Sequence, residues 1–230
     1  MKTGKSVFFS ELAYVVGMIT LAIGIAFMER ADFGISMVVA PAYLIHLKVS
    51  MFLPFYTFGM SEYIFQALLL ILLSFAVKGF RRSYLFSFVT AVLYGFTLDA
   101  AISLVACLPD FGIAAKIVFY ALGMVLCSVG VAFFFKTYIS PEAYELFVRD
   151  VSVKYNVSIT RVKTIYDVVS CLIGIVLSFV FFGFGTFEGV KLGTVFCALI
   201  NGFMIGKISG FLDNHFDFKD AFKFRDMFSK

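Results

Sequence analysis

Hydrophobic positions in this chain come in long unbroken runs rather than in alternation or in narrow helical stripes. Six of these runs reach or exceed the roughly 20 residues that carry a helix across a bilayer, at about 12–30, 60–78, 83–107, 112–136, 158–183 and 187–212. They predict six membrane-spanning helices joined by short connections, so a single domain over 1–212 followed by a tail over 213–230. The run from Leu12 to Met28 follows Lys2 and Lys5, as in a signal peptide. It exceeds a signal-peptide core and has no small-residue cleavage site, so it is read as a retained span.

Two blocks of the pattern recur. Leu21-Ala22-Ile23-Gly24-Ile25-Ala26-Phe27 returns as Cys127-Ser128-Val129-Gly130-Val131-Ala132-Phe133. Ser87 to Phe96 returns as Thr194 to Phe203. Each half, about 12–107 and 112–212, then holds three spans, and an odd number forces the second half to enter the membrane from the opposite side. The expected fold class is an all-α polytopic membrane protein built of two inverted three-helix repeats, an arrangement common among secondary transporters.

Each half also has a segment that is neither span nor simple loop. Residues 33–56 are mostly apolar but interrupted by Pro41, His46, Lys48 and Pro54, which suits a re-entrant or interfacial helix. Residues 140–156 are amphipathic, with Ala143, Leu146, Phe147 and Val151 on one face and Glu142, Glu145, Arg149 and Asp150 polar. That segment is expected to lie along the membrane surface, starting with Ser140 as capping hydroxyl and Pro141 at the first helical position. Gly34-Ile35-Ser36 is the corresponding start in the first half. An N-terminus at Ser36, if re-entrant, would favour an anionic group.

Composition sharpens this picture. The chain is 61% hydrophobic and 15% charged, with mean hydropathy +0.98, more apolar surface than a soluble domain of 230 residues could bury. The net charge of +4 is no sign of nucleic acid; its sidedness matters more. With the N-terminus inside, the inner connections collect most of the Lys and Arg residues, while the outer side has Arg30, Lys48, Lys116 and Lys191. Both termini are therefore expected in the cytoplasm. The tail alternates Phe216, Phe218, Phe222, Phe224 and Phe228 with charges and is expected to rest on anionic lipid. Cys107, Cys127, Cys171 and Cys197 lie in or at the ends of apolar runs and read as core thiols.

Gly24 and Gly130, Gly34-Ile35-Ser36-Met37-Val38-Val39 and Ser140-Pro141-Glu142-Ala143 carry a family likeness. The chain resembles the bacterial YczE/YyaS/YitT-like integral membrane proteins. Their halves each show a small-x-Gly block ending a span, a Gly-x-Gly/Ser-Pro-x-Asp turn and a Gly-rich final span. Met37 stands where that family often has proline, and Val39 and Ala143 where it often has aspartate, so no role of those aspartates transfers. The soluble C-terminal domain of longer members has no counterpart here. The resemblance implies a bacterial inner-membrane protein of poorly defined, transport-related function and names no substrate.

Ionisable groups at membrane depth are costly and mark pathways or packing pairs. Asp167 sits about 13 Å along the fifth span from Ser158 at 1.5 Å per residue, with Gln66 as its counterpart in the first half. Asn201, in the sixth span, matches Tyr94 in the third. Asp99 is deep in the third span, and Glu62 lies nearer the outer end of the second. These six are the candidate site for a small solute or ion, with Asp167 or Asp99 binding a cation or proton. The competing role for both aspartates is helix packing through Arg161, Lys163 or Lys207. Gly202, Gly206 and Gly210 form a small-residue face that packs within one protomer or joins two into a homodimer.

His46 and His215 have no spaced partner, so neither a metal site nor a cofactor is expected. No Gly-Lys-Ser/Thr phosphate loop is present. Tyr166-Asp167 lacks the Gly-x-Gly-Asp element with which intramembrane aspartyl proteases pair, so the chain does not read as an enzyme. The expectation is a small-solute transporter working by alternating access. The alternatives are a substrate-binding subunit of a larger transporter and a non-transporting scaffold or accessory protein.

Overall fold

The computed structural model describes residues 5–109 and 112–222, with side chains given for these except Thr160. Six long helices cross the bundle: α1 (Ser10–Ala31), α3 (Phe58–Val77), α4 (Arg82–Ala106), α5 (Ile113–Phe134), α7 (Ile159–Phe182) and α8 (Leu192–His215). All six are long and apolar enough to span a membrane. Two short helices, α2 (Ala40–Ser50) and α6 (Ala143–Tyr155), lie between the first and second spans of each set of three. A two-stranded parallel ladder, β1 (Ser6–Phe9) with β2 (Phe216–Lys219), ties the two ends of the chain together and defines the terminal end of the bundle.

Local chemistry sets the helix ends. Thr57 caps α3 by accepting the Met60 N–H at 3.1 Å. Asp32 and Lys78 take left-handed conformations after α1 and α3 and return their N–H groups to carbonyls of the last turn. The sixth span begins at Leu192, later than the hydrophobic run suggests. Gly183, Gly185 and Gly189 all have positive φ, and these turns keep residues 183–191 out of the helix although the segment is apolar.

The centre of the bundle is the pair α1 and α5. Apolar side chains gain little by leaving lipid for protein, so packing depends on close backbone approach. A Cβ on Gly24 would lie 2.7 Å from Cys127 Sγ and 2.9 Å from the Gly123 carbonyl oxygen, and one on Gly17 would lie 3.0 Å from that of Gly130. Large apolar side chains face outward all round the bundle, among them Phe75, Leu104 and Leu199, as expected for a lipid-facing belt.

Both short helices are packed against long ones. α2 runs along α7 from Gly174, which meets Ala40, to Phe181, whose carbonyl accepts Lys48 Nζ at 3.0 Å. α6 runs along α3 from Gln66 to Ala76, whose carbonyl accepts the Tyr155 hydroxyl at 3.0 Å. The expected surface-lying α6 is thus corrected. Its polar residues Glu142, Glu145 and Asp150 are buried at 1%, 5% and 3% exposure. Its amphipathic pattern arises from a polar face turned into protein, where partners on α3, α4 and α7 replace water. The start is corrected as well: α6 begins at Ala143, with Glu142 at the cap position but its own side chain making no capping bond. Ser140 and Pro141 instead present their carbonyls to Thr90 Oγ1 (2.9 Å) and Ser87 Oγ (2.6 Å) of α4. Ser36 likewise precedes a turn, and α2 begins at Ala40.

The described part of the tail is not a free amphiphile. α8 continues to His215, so Asp213 belongs to the helix and pairs with Lys136 at 2.8 Å. Phe8 stacks among Phe133, Phe216 and Phe218. The Glu11 carboxylate accepts the backbone N–H groups of Ala221 and Phe222. Phe224 and Phe228 lie outside the described residues.

Candidate functional site

The candidate residues divide into three groups. Asp99 is half-buried, level with the first turn of α3, where its carboxylate accepts the Gly59 N–H at 2.8 Å. This oxygen satisfies a free donor in the first turn of α3, where negative charge meets the positive end of the helix dipole. Asn201 is buried between α8 and α5 and its Oδ1 accepts the Ser128 hydroxyl at 3.0 Å. Both residues therefore have helix-joining partners.

Glu62 and Gln66 form the second group, and both are fully buried on α3. The Gln66 amide donates to Glu62 Oε2 at 3.3 Å and to Glu142 Oε2 at 3.2 Å, while its Oε1 accepts the Ala143 N–H at 3.0 Å. The Tyr144 hydroxyl donates to Glu62 Oε2 at 2.9 Å. Glu62, one turn into α3, is part of a polar knot between α3 and α6. Tyr94 is buried beside it on α4. Its hydroxyl, Glu62 Oε1 and Glu142 Oε1 make no hydrogen bond among the described residues.

Asp167 belongs to the third group. It is buried on α7 and pairs with Lys163 one turn earlier, Nζ to Oδ1 2.9 Å. Together with Glu145 of α6 these two side chains lie in a groove of about 460 Å³ between α6, α7 and α8. Gly202, Gly206 and Ser209 of α8 form the facing wall. A Cβ on Gly202, Gly206 or Gly210 would meet nothing within 4 Å, so this face is open rather than packed within the protomer. Lys207 points outward beside the Phe203 ring at 5.5 Å and does not partner Asp167.

Sequence reasoning missed Glu142, Glu145 and Tyr144 as site residues, while Lys163, named as a packing partner for the aspartates, does pair with Asp167. A water-facing and a protein-facing polar stripe look the same on an amphipathic helix, which hid the first three. The available signal was Ser140-Pro141 at the end of a span, with two glutamates three residues apart just after it. Burial raises the Glu142 carboxyl well above the ordinary range, helped by repulsion from Glu145 and Glu62. Burial also raises Glu145, opposed by the nearby Lys163 ammonium. Among the described residues, no three His, Cys, Asp or Glu side chains are grouped so as to hold a metal ion.

No curated protein and no solved structure matches the chain. The pattern of DUF6198, a family of unknown function, matches residues 8–210. That match runs from β1 to the last turns of α8 and takes in both short helices and every candidate residue, so the chain belongs to the DUF6198 family.

Proposed function

We propose that this protein is a small-solute transporter of the bacterial inner membrane, with both termini in the cytoplasm. The observation that carries the reading is the groove of about 460 Å³ that holds Glu145, Lys163 and Asp167 between α6, α7 and α8. Charged groups at such depth are costly, and those that line an open space rather than a packed interface are suited to meeting a solute. Gln66, Glu62 and Tyr94 back the groove from α3 and α4.

The cycle would be alternating access between two inverted halves, 12–107 and 112–212. Supporting this is a reciprocity in the central helix pair. Aligning Leu21–Phe27 with Cys127–Phe133 makes Gly24 equivalent to Gly130 and Gly17 equivalent to Gly123. Gly17 meets Gly130 while Gly24 meets Gly123, the exchange expected of two antiparallel copies about a two-fold axis. The short helices exchange in the same way, α2 onto α7 and α6 onto α3. The likeness to the YczE/YyaS/YitT-like proteins is part of this proposal, and so is a second copy packing on the Gly202-Gly206-Gly210 face.

The test is a thermal-shift screen of the purified protein against metabolites and ions at two pH values, since a ligand of the folded state raises the melting temperature by mass action. A hit abolished by Asp167→Asn and accumulated by proteoliposomes supports the reading. A hit indifferent to Asp167→Asn removes the groove from it. Binding without accumulation turns it into a substrate-binding subunit. The scaffold alternative draws on Asn201 and Asp99, whose polar groups already join helices.

A further inference from the structure

The groove explains Glu145, Lys163 and Asp167 but leaves Glu62 and Glu142 unexplained. These two carboxyls are fully buried behind it and touch no cation among the described residues. Their shared donor is one neutral amide, that of Gln66. Glu62 has one further donor, the Tyr144 hydroxyl. Among the described residues, Glu62 Oε1, Glu142 Oε1 and Glu145 Oε2 receive no hydrogen bond, and the Tyr94 hydroxyl makes none, although all four atoms are buried. Lys163, which serves the neighbouring Asp167, is the one ammonium beside Glu145 among the described residues.

Three ionised carboxylates in this setting would each leave an oxygen without a donor in an apolar bundle. A buried charge without partners is avoided by neutralisation. A proton neutralises a carboxyl without needing space, and the space in this region is the groove in front of Glu145. We propose that Glu62, Glu142 and Glu145 form a proton-binding site, with Gln66 holding the first two and Glu145 linking them to the groove.

The surroundings favour the neutral form. Facing the three carboxyls are Tyr14 of α1, Tyr94 of α4, Cys127 of α5 and Tyr144 of α6, all uncharged at neutral pH. From α7 come Tyr166 and the Lys163–Asp167 pair. Burial, with repulsion from neighbouring carboxylates, raises Glu142 and Glu145. A proton released to the groove leaves through Glu145, the member that lines both the large groove and a smaller cavity beside Arg149. Coupling of that proton to solute movement rests on the transport reading, whereas the proton site itself does not.

Infrared titration of the purified full-length protein in lipid nanodiscs tests it without any solute. The protonated-carboxyl C=O stretch should be present at pH 7, shrink on alkalinisation and lose about one carboxyl in Glu142→Gln. Glu62→Gln and Glu145→Gln provide the same readout if Glu142→Gln does not fold. A band absent at pH 7, or unchanged in every folded variant, overturns the proposal. So does a band displaced at constant pH by Na⁺ or K⁺, which would make the site a metal-cation site. Solute uptake does not enter this readout, so loss of the transport reading leaves the proton site standing, and the reverse holds too.

Discussion

The Gln66 side-chain oxygen accepts the backbone N–H of Ala143 at 3.0 Å, so an amide in the middle of one span caps a helix that begins at the same depth. The other side of that amide donates to Glu62 and Glu142. The hydrogen bonds of one side chain thus fix where α6 starts and how two carboxyls face each other.

Gln66→Leu keeps the volume but removes the cap and the shared donor. Each buried group left without a partner costs about 1–3 kcal/mol, so the apparent melting temperature should fall by several degrees. Gln66→Glu keeps an acceptor for Ala143 but places a further carboxyl beside Glu62 and Glu142. Its loss should be small at acid pH and grow as pH rises. A melting temperature unchanged by Gln66→Leu would mean that α6 is held by its other contacts alone.

Close approach of α1 and α5 makes a second prediction. Gly24→Val places side-chain atoms where Cys127 and the Gly123 carbonyl already stand, and overpacking of this kind costs about 1–3 kcal/mol or more. Gly206→Ala meets open space within one protomer and in a detergent-separated monomer should be neutral or slightly stabilising, by up to about 1 kcal/mol from helix propensity. Thermal unfolding of both variants in the same detergent gives the comparison. Equal loss in the two would show that α8 packs tightly through its glycine face, as in a stable homodimer.

Where the sequence was informative, the reason is physical. Span number and position follow from length and hydropathy alone, because backbone groups in lipid can be satisfied only within a helix. Gly17, Gly24, Gly123 and Gly130 bring α1 and α5 together, whereas the Gly202-Gly206-Gly210 face expected to pack or to join two protomers is open within one protomer. The partner of Asp99 was not legible, because it is the backbone N–H of Gly59 in the first turn of α3. The role of α6 was hidden further. Periodicity reveals that Glu142, Glu145 and Asp150 share a face, but not that Gln66, Lys163 and Arg81 wait on the other side of it. Lys163 was readable as a packing partner of Asp167, four residues away on one helix face, but not as part of a groove.

The pH dependence of folding follows from Glu142. Its folded carboxyl titrates above the unfolded one, for which the ordinary value is 4.5. The native state therefore binds more protons between those two values, and stability falls as pH rises. Its contribution is fully present below the unfolded value and is lost as pH rises through the folded one. Each pH unit across which the two states differ by one proton costs about 1.4 kcal/mol. Glu142→Gln keeps the acceptor for Gln66 and cannot ionise. Its melting temperature should match wild type in acid and exceed it near neutrality, with a flatter profile. Parallel profiles for the two proteins would remove Glu142 from the titration.

Lys163 and Asp167 separate packing from function. Lys163→Met leaves the Asp167 carboxylate, whose side chain is 6% exposed, without its cation, and breaking a buried pair from one side costs about 3–5 kcal/mol. Asp167→Asn leaves the ammonium 15% exposed and near Glu145, so the loss should be smaller. The double variant Lys163→Met with Asp167→Asn holds no unpaired charge in the pair and should recover most of the stability lost by Lys163→Met. A pair that serves packing alone would then recover with the fold, including every ligand-induced thermal shift. A pair that meets a solute would not: the double variant should melt like wild type and show no shift with the ligand. Melting curves with and without that ligand, on all four proteins, decide between the two roles.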